Sequence, residues 1–205
     1  IKLTNFFIIN FILVIICLFI YKNLAFKITI RLFRPSEIAR IFFPSVFDLG
    51  KYEIGISETI ELVFNADVTT GRQVLFEEGG GTNALSIYID TGSIYFNVRD
   101  AGEFGPFTIS ALITPGQTYH VAATFDSINS FLFSGYLDGV LVGSGVTTTD
   151  LDAHSGDIGI GFDNGGTYYH DGATATSGNY FDGRLSDVAV YNSVLTEAEI
   201  QKHAT

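Results

Sequence analysis

Residues 135–144 read Gly135-Tyr136-Leu137-Asp138-Gly139-Val140-Leu141-Val142-Gly143-Ser144. Asp138-Gly139 suits the positive φ angles of a type I′ turn, and the apolar residues flanking it can pair as the arms of a β-hairpin. Outward from this hairpin the chain keeps a period of two. Ile60, Leu62, Phe64, Ala66 and Val68 fall on one face, with Thr59, Glu61, Asn65 and Asp67 on the other, the signature of a half-buried strand. Leu85-Ile87-Ile89 and Ile94-Phe96-Val98 repeat it around the turn Asp90-Thr91-Gly92-Ser93. Tyr119-Val121-Ala123-Phe125 follows the turn Thr114-Pro115-Gly116-Gln117, and Ile158-Ile160-Phe162 and residues 185–191 complete the set. Short strands punctuated by Gly, Asp, Asn and Ser predict an all-β, antiparallel two-sheet sandwich. Only the end of the chain departs, where Thr196 stands three residues before Glu199 as a capping box opening a short C-terminal helix.

Composition divides the chain near Val46. Residues 1–46 carry Lys2, Lys22, Lys27, Arg31, Arg34 and Arg40 against Glu37 alone, whereas the remainder carries five basic and 21 acidic residues and all 22 glycines. The chain is therefore read as a segment 1–46 followed by a domain 47–205. A body of net charge −16 repels phosphate, which excludes nucleic acid as a partner. The lone Cys17 forms no intramolecular disulfide, so an apolar core must stabilise the domain. Phe6–Tyr21 is apolar except for Asn10 and predicts an N-terminal helix of about 24 Å, a little short of a bilayer core of about 30 Å. With Ile1 as its first residue and no Met, the segment is read as an export signal, a membrane anchor or a non-native extension, and membrane contact is expected through it alone.

Three ordered stretches resemble the laminin-G-like, concanavalin A-like lectin/glucanase jelly rolls. The 135–144 hairpin is similar to that family's "Y-V-D-G-x-L-V-G-S". Phe181-Asp182-Gly183-Arg184-Leu185-Ser186-Asp187-Val188-Ala189-Val190-Tyr191-Asn192, followed by Leu195-Thr196 and Glu199-Ile200, resembles its closing "F-x-G-x-I-D-E-V-x-I-Y-N" strand and helix. Tyr119-His120-Val121-Ala122-Ala123-Thr124-Phe125-Asp126 resembles its "W-H-H-V-A-x-T-Y-D", with Thr118 where the family has Trp. The resemblance implies two stacked sheets of about six or seven strands each and a recognition role at a cell surface, outside the cell or on a virion. In some relatives the Asp of "I-D-E-V" helps to hold calcium; here that position is Ser186, and Asp187, one residue on, falls on the other face by simple alternation.

The candidate chemistry follows from the loops. Glucanases of this fold space two carboxylates so that both enter one cleft; Glu58 and Glu61 differ by an odd number, and Glu77-Glu78, abutting Gly79-Gly80-Gly81, is read as solvated. No histidine neighbours a Gly-x-Ser-x-Gly nucleophile motif. The longest irregular stretch, Gly161–Tyr180, offers Tyr168 and Tyr169 as rings for sugar faces and Asp163, Asn164 and Asp171 as partners for hydroxyls, with flexible connection as the alternative. Arg99 is read as a solvent-facing strand residue. Asp163 and Asp182 are the candidate calcium ligands, against ordinary Asx-turn chemistry. The expected function is a non-catalytic recognition module for a glycan, with calcium as its candidate cofactor. The alternative is an adhesive domain contacting a cell-surface protein, and a glycoside hydrolase stands third.

Overall fold

In a computed structural model, residues 57–80, 82–100, 104–128, 130–151, 158–164, 166–175 and 177–205 are described. The segment 1–46, with its expected apolar helix, lies outside them. Twelve strands run in chain order: β1 (Glu58–Ala66), β2 (Gln73–Gly79), β3 (Asn83–Asp90), β4 (Ser93–Asp100), β5 (Phe104–Leu112), β6 (Thr118–Asp126), β7 (Leu132–Leu137), β8 (Val140–Val146), β9 (Gly159–Ile160), β10 (Thr167–Tyr168), β11 (Thr174–Ala175) and β12 (Gly183–Tyr191). They form one sheet of order β12-β1-β6-β7-β8, a second of order β5-β4-β3-β2-β9, and the small β10-β11 ribbon. Among the described residues each large sheet has five strands; the resemblance implied six or seven.

The turns form as their residues dictate. Thr91 and Gly92 take φ of 48° and 81°, and Asp138 and Gly139 take 50° and 76°, the paired positive angles of a type I′ hairpin. Ile60, Leu62 and Phe64 of the first sheet meet Leu85, Ile87 and Phe96 of the second in a single core. The sheets approach closely where glycine permits it: a Cβ on Gly135 would come within 2.7 Å of the Phe96 ring. The absent Trp is compensated by Tyr119, whose ring stacks on Phe64 at 5.5 Å while its hydroxyl accepts the Thr114 N–H.

Two expectations are corrected by backbone detail. Glu77 and Glu78 are strand residues and both are buried, not solvated. Adjacent on β2, they point to opposite sides: Glu78 turns inward and hydrogen-bonds Glu58 between the sheets, and Glu77 turns outward. In β12 the pairing with β1 jumps between Ala189 and Ser186, and Asp187 takes φ 53°. This bulge sends Val188 after Leu185 into the core, so simple alternation does not assign the face of Asp187.

The C-terminal helix α1 (Glu197–His203) opens at Thr196, whose hydroxyl accepts the Glu199 N–H while Glu199 Oε2 accepts the Thr196 N–H. Ile200 seats on Ala122 and Tyr136 and seals the outer face of the first sheet. Beside it, Glu61 Oε2 pairs with His203 Nδ1 at 2.9 Å and Oε1 lies 3.5 Å from His120 Nε2. Burial alone would raise the Glu61 pKa; the two imidazoles outweigh it and hold Glu61 below the usual carboxylate range.

Candidate ligand-binding site

The outer face of the second sheet is organised in rows of cross-strand neighbours. One row runs Gly159, Glu77, Ser86, Asn97, Thr108, and the next runs Val74, Tyr88, Tyr95, Ser110. The connection from β9 to β12 folds over these rows. Asn97 Nδ2 donates to the Tyr168 carbonyl at 2.7 Å, and Thr108 Oγ1 donates to Asn97 Oδ1 at 2.8 Å. At the other end Arg72 bridges sheet and cover, pairing with Asp90 at 2.6 Å and Asp171 at 2.8 Å, with its guanidinium 4.1 Å above the Tyr169 ring. The guanidinium beside Asp171, together with the Ala173 N–H, holds that carboxyl down at about 2.

The aromatic groups form a continuous stack. Tyr88 lies parallel to Tyr95 at 5.2 Å, Tyr95 parallel to His170 at 4.1 Å, and Tyr169 meets Tyr88 edge-on at 5.0 Å. The Tyr88 hydroxyl accepts the His170 N–H at 2.9 Å and lies 3.0 Å from its Nδ1. Tyr88 and Val74 are buried with Tyr169, Tyr95 is half-buried, and His170 is exposed. Arg99, expected in solvent, is half-buried and lies 3.6 Å over the Tyr168 ring. Tyr180, 66% exposed, stacks on Phe162 at 6.0 Å.

The five residues expected to bind a ligand therefore share one cover in two different situations. Tyr169 and Asp163 are sealed inside it: the Tyr169 hydroxyl donates to Asp163 Oδ2 at 2.8 Å and accepts from Asn179 Nδ2 at 2.7 Å, and Asp163 Oδ1 accepts the Gly166 N–H. Burial, with Asp163 beside it, pushes the Tyr169 hydroxyl pKa well above its ordinary value. Tyr168, Asn164 and Asp171 reach the surface. Tyr95 and His170 are additions that the strand pattern alone did not single out; the polar-aromatic alternation Tyr95-Asn97-Arg99 on β4 was the available signal for Tyr95.

The two candidate calcium ligands differ in exposure. Asp163 is fully buried and Asp182 is exposed at the mouth of β12, where its N–H donates to Gln73 Oε1. Among the described residues, no three His, Cys, Asp or Glu side chains gather as metal ligands.

Residues 55–201 match the family described as the concanavalin A-like lectin/glucanases superfamily. The chain belongs to this family. No curated protein matches the sequence. Among solved structures, the concanavalin A-like domain superposes on the CBM40 of Ruminococcus gnavus IT-sialidase with a TM-score of 0.57 at 17% identity, over 89% of this chain and 98% of that one. The CBM40 structure bound to alpha2,3 sialyllactose gives 0.54 at 19%, over 73% and 83%. The native heptameric SAP-like pentraxin from Limulus polyphemus gives 0.53 at 19%, over 73% and 70%. Domain 4 of AbnA, a GH43 extracellular arabinanase from Geobacillus stearothermophilus, in complex with arabinotriose, gives 0.53 at 16%, over 73% and 66%. At these identities the likeness establishes the fold.

Proposed function

We propose that this domain is a non-catalytic carbohydrate-binding module that works outside the cell or on a cell or virion surface, with its ligand on the outer face of the second sheet. The observation that carries this reading is the Tyr95–His170 stack at 4.1 Å, which presents an exposed ring on the cover that also holds the Arg99–Tyr168 pair. Such rings offer flat apolar faces to sugar C–H groups, and Asn164, Asp171 and Thr108 lie on the same cover or its border as partners for hydroxyls. The fold shared with carbohydrate-binding modules supports it. The carboxylates here favour binding over hydrolysis: Asp90 and Asp171 are engaged by Arg72, and Glu77 and Asp163 are out of reach of a substrate.

A glycan array of neutral and sialylated sugars, probed at neutral pH with the full chain, tests the proposal. Binding is expected, with loss in Tyr168→Ala and in His170→Ala. A blank array would overturn it, and release of reducing sugar from β-glucans would overturn the non-catalytic part.

The adhesive reading has one specific observation in its favour. β8 is a sheet edge with no charged residue from Val140 to Thr149, and Val140 and Val146 are each 64% exposed. An uncharged, exposed strand edge can pair with a partner strand. Capture of a surface protein that survives Tyr168→Ala but not Val142→Lys would favour this second reading.

A further inference from the structure

The cations of the covered second sheet are few, and both are engaged. Five basic residues follow Val46. Lys51 lies outside the described residues, while Arg184 is exposed on β12 and Lys202 on α1, the strand and helix of the first sheet. Arg72 and Arg99 remain for the second sheet and its cover. The Arg72 side chain, 16% exposed, is held by Asp90 and Asp171, and its guanidinium lies over the Tyr169 ring. One guanidinium between two carboxylates leaves the trio with a net negative charge. Arg99 is half-buried, and its guanidinium covers the Tyr168 ring at 3.6 Å.

What this face presents to a ligand is a carboxylate. Asp171 follows His170 directly in the chain, next to the ring that stacks on Tyr95, and its side chain is 47% exposed. Asp171 Oδ2 accepts from Arg72 and Oδ1 from the Ala173 N–H, and these bonds keep the group ionised far below neutral pH. Each carboxylate oxygen carries a second lone pair, so Asp171 can still accept a hydroxyl proton from a ligand lying on the His170 ring. The same charge repels a sialate carboxylate, a sulfate or a uronate placed there. Like charges several ångströms apart at a protein surface cost on the order of tenfold in affinity. The −16 carried beyond Val46 acts in the same direction at longer range.

We propose that this face selects uncharged, hydroxyl-rich glycans and rejects acidic ones, with Asp171 as the specificity-determining residue. Asp171 accepts hydroxyls from a neutral sugar on the Tyr95–His170 stack and repels an acidic sugar in the same place. The inference rests on the carbohydrate reading of this face and narrows it. It gives this chain a ligand class different from that in the CBM40 structure bound to alpha2,3 sialyllactose, although the two share a fold.

The test is an array of matched pairs, each a neutral oligosaccharide beside its sialylated, sulfated or uronic counterpart. It is probed with the full chain at about pH 7.5, where an ordinary imidazole is uncharged. Affinities for the strongest pair are then measured at about 0.02 M and about 0.5 M sodium chloride, in the parent chain and in Asp171→Asn. The neutral member is expected to bind about tenfold tighter or more. The gap should shrink at high salt, because screening weakens repulsion between exposed charges. Asp171→Asn keeps an oxygen for the Ala173 N–H and removes the charge, so it should narrow the gap severalfold by strengthening the acidic member, with an unchanged circular dichroism spectrum. The salt series on the parent chain decides the matter if that variant fails to fold. Acidic members bound as tightly as their neutral counterparts, or more tightly, would overturn the selection and leave the carbohydrate reading standing. A blank array would overturn both. A gap that neither salt nor Asp171→Asn moves would mean rejection by shape and would overturn the role of Asp171.

Discussion

The two outward faces of the sandwich are closed by different chemistry. On the first sheet a helix lays Ile200 on Ala122 and Tyr136, an apolar seal whose one buried charge, Glu61, is met by two histidines. On the second sheet the cover is an irregular connection held by Arg72, Asn97, Asp163 and Asn179, with rings and amides left at the surface. An apolar seal gains from burial alone, about 25 cal/mol per Å². A polar cover must satisfy each group it buries before it contributes anything. The polar, aromatic cover of the second sheet is the face that the proposed function assigns to recognition.

The sharpest way to break this comparison is at two adjacent residues. Tyr169→Ala removes the ring between Arg72 and Tyr88 and leaves Asp163 without its hydroxyl partner, so guanidinium unfolding should show a loss of about 3–5 kcal/mol. Tyr168→Ala should cost about 1 kcal/mol or less while removing glycan binding. If the two variants behave alike, the division of the cover into an inside and an outside is wrong. Next in size, Ile200→Ala should cost about 2–4 kcal/mol and leave glycan affinity unchanged; a parallel loss of affinity would mean that the two faces are coupled.

A pH series separates the core from both faces. Burial pushes Glu58 up to about 7, with Asp150 adding to the rise and the hydrogen bond with Glu78 opposing it, and burial raises Glu78 as well. Below pH of about 4.5 these groups are protonated whether the chain is folded or not. Above it the unfolded chain ionises while the folded one holds its protons, so this contribution to stability is complete below about pH 4.5 and is lost as pH rises through about 7. Between pH 4.5 and 7.5, Glu58→Gln should be less pH-dependent than the parent chain by on the order of 2 kcal/mol. Equal slopes would contradict the shared burial of Glu58 and Glu78. Smallest, Thr196→Ala should cost about 1 kcal/mol through loss of the cap, visible as earlier melting with no change in glycan affinity.

Much of this fold is written locally. Asp138-Gly139 and Thr91-Gly92 set two hairpins, Thr196 with Glu199 sets the helix, and alternation marks the long strands, because each signal acts within a few residues. The candidate site was legible only in composition. Its order comes from contacts such as Arg72 to Asp171, 99 residues apart, and Asn97 to Tyr168, 71 apart, which no local pattern records. Glu77 and Glu78 were misread for the same reason: strand alternation gives a residue its face, but not whether a distant loop will cover that face. The bulge at Asp187 breaks the alternation itself, and Asp187 carries none of the glycine that would have announced a positive φ.

The central claim, that the ligand face is the covered second sheet, is tested most directly by titrating 15N-labelled protein with the best-bound glycan of the array and following amide shifts. The account predicts that the perturbed amides cluster at Tyr95, Asn97, Thr108 and 166–171, with those of β8 and α1 unmoved. Perturbations centred on β8 or α1, with Tyr95 and His170 unmoved, would contradict it.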